Sequence, residues 1–118
     1  NTAWGGDSAG GGSSWWYYYD TEGPSTQAIY AGQNLVDGAS VTYDQNSGTI
    51  TIVLGPNMRL KTGSEPVKIA GYDEGELPAS RPSMGSSNPN QIYAGTDLVI
   101  SVDHYRYYAV HLDVEVRD

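Results

Sequence analysis

Three groups of side chains in this sequence have the chemistry to hold a ligand. Trp16, Tyr18 and Asp20 fall on alternate positions of one extended run. His104, Tyr105, Arg106 and Tyr107 are consecutive. Asp73, Glu76 and Arg81 belong to a long, proline-bearing stretch. An aromatic ring presents an apolar face to the flat C–H surface of a pyranose. The hydroxyls around that surface need carboxylate, amide or guanidinium partners. These residue types together are what a sugar site requires. On a strand, side chains two apart stand roughly 7 Å from one another, a spacing that suits successive units of an extended glycan.

Other chemistries fit the residues less well. Glu74 with Glu76, and Asp113 with Glu115, are carboxylate pairs of the kind that glycosidic acid/base catalysis uses. A chain of 118 residues leaves little room for the deep cleft that such catalysis needs, and solvated surface charge accounts for both pairs. Asp73, Glu74 and Glu76 could instead ligate calcium, a hard cation that takes loop carboxylates and carbonyls, although no EF-hand spacing is present. His104 and His111 are too few, and too poorly partnered, for a zinc site. Gly6-Asp7-Ser8-Ala9-Gly10 matches a nucleophile elbow. That motif needs a helix next, where this chain has Gly10, Gly11 and Gly12, and glycine is a poor helix former. The same stretch lacks the lysine of a phosphate-binding loop.

Composition bounds the partners. Fourteen acidic and six basic residues give a net charge of −8, which argues against nucleic acid and anionic membranes. There is no cysteine, so disulfides and thiolate metal sites are excluded. No apolar run approaches transmembrane length. The 10 Tyr and 3 Trp, set against no Phe, favour surfaces that are half wet. The first residue is Asn1 rather than methionine, as expected of a module cut from a longer polypeptide or of a processed product.

The elements that must position these residues read as strands. Aromatic side chains fit a pleated surface, so Trp15 to Asp20 is extended. Trp15, Tyr17 and Tyr19 are expected in the core, and Trp16, Tyr18 and Asp20 on the wet face, where the aspartate reaches solvent. Residues 1–14 read as a Gly/Ser-rich lead-in, and 15–118 as one domain. Short strands follow at Gln27–Tyr30 and Val41–Tyr43, and Asp44 to Gly48 connects a hairpin. Ile50, Ile52 and Leu54 alternate inward, with Val67, Ile69, Leu98, Ile100, Val110, Leu112 and Val114 completing the expected core. From Tyr105 to Arg117 the alternation is clearest, placing Tyr107, Ala109, His111 and Asp113 on the wet side. Residues 71–90 carry three prolines and no periodicity, the mark of a functional or disordered loop. Ile29-Tyr30-Ala31-Gly32-Gln33-Asn34-Leu35-Val36 returns 63 residues later as Ile92 to Val99, identical at six of eight positions. Either a strand unit was duplicated, or two turns converged on one bend; both make Tyr30 and Tyr93 structural. The fold class is therefore all-β, an antiparallel β-sandwich of about eight strands with essentially no helix.

With Trp15-Trp16-Tyr17-Tyr18-Tyr19 and the paired Ile-Tyr-Ala-Gly segments in view, the chain resembles the carbohydrate-binding modules of secreted bacterial glycoside hydrolases. The resemblance rests on composition and pattern along the whole chain, with no diagnostic motif. It implies a non-catalytic β-sandwich, extracellular, that tethers a catalytic domain of its parent polypeptide to polysaccharide. The expected contacts are Trp16, Tyr18, Asp20, Asp73, Glu76, Arg81, His104, Tyr105, Arg106 and Tyr107. The alternative expectation is a structural or adhesive immunoglobulin-like module of a bacterial surface protein, with the aromatics in core or interface.

Overall fold

A computed structural model describes residues 1–9 and 15–117. Among these residues there are eleven strands and no helix: β1 Thr2–Gly5, β2 Ser8–Ala9, β3 Tyr17–Asp20, β4 Thr26–Ala31, β5 Asn34–Asp44, β6 Thr49–Val53, β7 Met58–Leu60, β8 Val67–Tyr72, β9 Gln91–Gly95, β10 Val99–Ser101 and β11 Tyr107–Val116. All pairings are antiparallel, and the sheet curls into a nearly closed, barrel-like form of the sandwich/barrel class.

Strand β11 organises the sheet. Along one edge it pairs β1, from Thr2↔Asp113 to Gly5↔Val110, and then β3, through Tyr107↔Asp20 and Tyr108↔Tyr19. Along the other it pairs β8, from Tyr107↔Tyr72 to Leu112↔Val67, and then β7, through Val114↔Leu60 to Val116↔Met58. Beyond β1 the order runs β4, β5, β6, β10, and beyond β8 comes β9. The lead-in expected over residues 1–14 is therefore corrected at its start. Thr2–Gly5 is an interior strand with Ala3 and Trp4 buried. The glycine-rich remainder, 10–14, lies outside the described residues.

The inner face holds the expected core. Ile50, Ile52, Val67, Ile69, Ile100, Val110, Leu112 and Val114 are buried, while Leu54 and Leu98 are partly buried at its margin. Three tyrosines, Tyr19, Tyr43 and Tyr108, join it with their hydroxyls satisfied, as buried phenols require. Tyr19 donates to the Ser25 carbonyl and accepts from the Tyr43 amide at 3.1 Å. Tyr108 donates to the Asp103 carbonyl at 2.5 Å and accepts from the Tyr105 amide at 3.1 Å.

The outer face of β1, β11 and β8 is the main departure from expectation. It is covered by a second apolar cluster: Trp4, Trp16, Tyr17, Ala70, Tyr72 and Ala109 are buried, with Tyr18, Tyr30, Leu77, Met84 and Tyr107 packed against them. Ala70 and Ala109 are register partners, and their small side chains leave room for indoles above the sheet. Trp16, expected in water, is fully buried, and Trp15, expected in the core, is 49 % exposed. The alternation fails because β3 begins only at Tyr17, and because both sides of the sheet are apolar there. His111, placed on the wet side by periodicity, is likewise buried. The segment 73–90 supplies part of the cover through Leu77 and Met84. Its asparagines hold it down: Asn90 donates to the Gly71 carbonyl at 3.0 Å, and Asn88 to the Tyr72 hydroxyl at 3.3 Å.

The repeated octapeptide takes two forms. In the first copy it makes a tight β4–β5 hairpin, with Gly32 at φ 61. In the second, β9 pairs β8 and β10 pairs β6, so the same residues carry the chain from one side of the sheet to the other. The copies are not equivalent strand units. Tyr30 stacks on Tyr17 at 4.3 Å between centroids, whereas the Tyr93 hydroxyl accepts from the Asp97 amide.

Two stability outcomes follow. Trp16→Ala removes a wholly buried indole and should cost about 3–5 kcal/mol of folding; Trp15→Ala should change stability by no more than about 0.5 kcal/mol. Urea unfolding midpoints check both. Burial pushes the His111 imidazole down to about 4, Asp113 opposing and Lys68 and Arg81 reinforcing the fall. Its folded pKa lies below its unfolded one, so its contribution is complete above the ordinary imidazole value of 6.5 and is lost as pH falls towards 4. The loss amounts to about 3 kcal/mol. Melting temperature recorded across that window should fall steeply for the wild type and less so for His111→Gln.

Candidate functional site

The expected site residues divide into three places. Tyr18, Asp20, Arg106 and Tyr107 come together where β3 meets the start of β11, since Asp20 is the register partner of Tyr107. Tyr18 meets Tyr107 edge to face at 5.5 Å between centroids. The Arg106 guanidinium lies 4.7 Å over the Tyr107 ring. Both tyrosines are half-buried, with Trp16 beneath Tyr18 at 5.6 Å.

Arg106 fixes this corner. Its Nε donates to Asp20 Oδ1 at 3.0 Å and its Nη2 to Asp20 Oδ2 at 3.4 Å. Its Nη1 pairs with Glu74 and lies 3.4 Å from Glu22 Oε2. Its backbone carbonyl accepts from the Thr21 amide and hydroxyl. One cation thus ties the turn after β3 to the loop after β8. The Arg106 hydrogen bond holds the Asp20 carboxyl below its ordinary value against the opposing effect of burial. Burial raises the Tyr107 phenol, which stays protonated and able to donate. The corner therefore offers half-exposed aromatic surface beside carboxylate acceptors and phenol donors, in a fixed geometry.

Other expected contacts are placed elsewhere. His104 Nδ1 lies 3.1 Å from the Tyr43 hydroxyl, and Tyr105 packs edge to face on Tyr108 at 6.1 Å. Tyr105 covers Gly71, where any side chain would collide with its ring. Arg81 stands with its guanidinium carbon 5.4 Å over Trp4. Asp73 and Glu76 are exposed, and the Glu76 amide donates to the Asp73 carbonyl in a turn. The loop carboxylate that reaches the site is Glu74. Alternation could not find it, because it arrives through the turn and not along a strand.

The carboxylate pairs considered for acid/base chemistry are split by cations. Glu74 is held by Arg106, Asp113 lies 3.7 Å from Lys68 Nζ, and Glu115 is bonded to Arg59. Among the described residues no group of three or more acidic or histidine side chains converges as a cation site, so Asp73, Glu74 and Glu76 do not form the expected calcium cage. Ser8 is the first residue of β2, which pairs with β3, and the Gly10–Gly12 run of the nucleophile-elbow match lies outside the described residues.

Arg106→Gln should release the two segments it joins. Hydrogen exchange is expected to quicken at the Thr21 and Glu22 amides, while amides in the middle of β11 keep their protection. Comparison of the chain with family models, curated proteins and solved structures finds no match.

Proposed function

We propose that this domain is a non-catalytic module that binds neutral polysaccharide and tethers a secreted parent enzyme to it. The observation that carries the reading is the Tyr18–Tyr107 pair, half-exposed and edge to face, with Arg106 and Asp20 rigid beside it. Exposed aromatic surface of this kind is a mark of a binding site. Sugar hydroxyls would find acceptors in Asp20, Glu22 and Glu74 and donors in the tyrosine hydroxyls. The indole of Trp15, 49 % exposed, is a further stacking surface one residue from the buried Trp16. The net charge of −8 favours a neutral ligand over a polyanion.

A structural or adhesive module of a surface protein is the second reading. It is favoured by the burial of Trp4, Trp16, Tyr17, Tyr19 and Tyr72, which makes much of the aromatic content architectural. Affinity electrophoresis against soluble and insoluble neutral glycans separates the two. Retardation by at least one glycan, reduced by Tyr107→Ala and Tyr18→Ala in variants that remain folded at the assay temperature, is the expected result. By analogy with base stacking, each lost aromatic contact should weaken binding by about 1–3 kcal/mol. No retardation by any glycan would favour the structural reading.

A further inference from the structure

A second concavity lies on the same outer face. On a strand, residues four apart share a face and stand roughly 13 Å from each other, which is the separation of Tyr107 from His111 along β11. Around His111 the residues Trp4, Arg81, Pro82, Ser83 and Met84 line a cleft of about 360 Å³. That volume falls within the usual range for small-molecule sites, about 300–1,000 Å³.

Two of its lining side chains carry polar atoms left unmatched among the described residues: Trp4 Nε1 and His111 Nδ1 are buried and have no hydrogen-bond partner there. Both residues are more than nine-tenths buried, with Trp4 1 % and His111 8 % exposed. The indole N–H is a donor only, so an acceptor alone can complete it. Arg81 adds the planar fork of a guanidinium, and among the described residues it forms no ion pair. Its position over the Trp4 ring holds the head group at the cleft. Ser83 adds a hydroxyl, while Met84 and Pro82 supply apolar wall. Among the described residues no carboxylate lines the cleft, in a chain whose acidic residues outnumber the basic by 14 to 6.

We propose that the Trp4–Arg81–His111 cleft binds a single carboxylate, carried by a sugar acid or by a free small organic acid. A guanidinium and a carboxylate match as two parallel hydrogen bonds, which Lys cannot reproduce. The carbon skeleton of the acid lies against Met84 and Pro82. The strongly acidic surface admits one carboxylate and rejects a polyanion. This inference goes beyond the tyrosine-pair reading and does not depend on it.

Isothermal titration of the intact chain with glucuronate, glucose and acetate tests it. Glucuronate is expected to bind at least tenfold more tightly than glucose, and Arg81→Gln to lower that affinity at least tenfold with melting temperature unchanged. Arg81→Lys should recover only part of it. Glucuronate well ahead of acetate assigns the site to sugar acids; acetate equal to glucuronate assigns it to free organic acids, and either supports a carboxylate site. Tyr107→Ala should leave glucuronate binding intact, which separates this site from the tyrosine pair. Glucuronate no tighter than glucose, or full affinity in Arg81→Gln, would overturn the proposal.

Discussion

The structure depends on one constraint: β11 is enclosed on both edges and on both faces. Its edges are taken by β1 and β3 on one side and by β8 and β7 on the other. Its inner face points Tyr108, Val110, Leu112 and Val114 into the barrel. Over its outer face Trp4 and Trp16 meet edge to face at 6.1 Å, in one cluster with the Ala70–Ala109 pair. Edge-to-face geometry is the preferred arrangement for such rings, because the positive edge of one meets the negative face of the other. Burying two indoles on the outside of a sheet this small supplies a second core. That core allows 118 residues without a disulfide to hold a strand interior on every side.

The same cover determines what the outer face can present. The rings of Trp4, Trp16, Tyr18 and Tyr107 form a continuous series of contacts, with Arg81 over the first and Arg106 over the last. The two guanidiniums play different parts. Arg106 is surrounded by Asp20, Glu22 and Glu74 and acts as a clamp between two loops. Arg81 stands among apolar and neutral side chains with its hydrogen-bonding fork uncommitted among the described residues.

Much of the barrel was legible in the sequence because period-two alternation reports one-sided burial. The alternation of Ile50 with Ile52, and of Val110 with Leu112 and Val114, reads directly onto the inner core. It fails where both faces are dry, since alternation carries no signal once polar positions are also covered. Trp16 and His111 are such positions. Trp4 was hidden by its glycine-rich surroundings, although a lone indole among glycines is itself a sign that the chain is anchored there. The octapeptide repeat shows the opposite limit. Local sequence that matches at six of eight positions gives a hairpin in one copy and a crossing from one side of the sheet to the other in the second, because the flanking strands choose different partners. Within the site, Tyr18 with Asp20 and Arg106 with Tyr107 were legible only as two separate groups; the register of β3 on β11 joins them, and spacing within either stretch does not encode that register. The part played by Glu74 and the separation of Arg81 depended on the course of the loop, which propensity does not encode.

The central claim is that the outer face around Tyr107 is a rigid recognition surface and not merely the outside of a core. Backbone amide and tyrosine ring chemical shifts, followed by NMR during titration with the neutral glycan that retards the protein most, test it directly. The account predicts perturbations concentrated at Tyr18, Asp20, Glu74, Arg106 and Tyr107, with β5 and β6 unaffected. Saturable binding that perturbs only residues remote from this corner would contradict it.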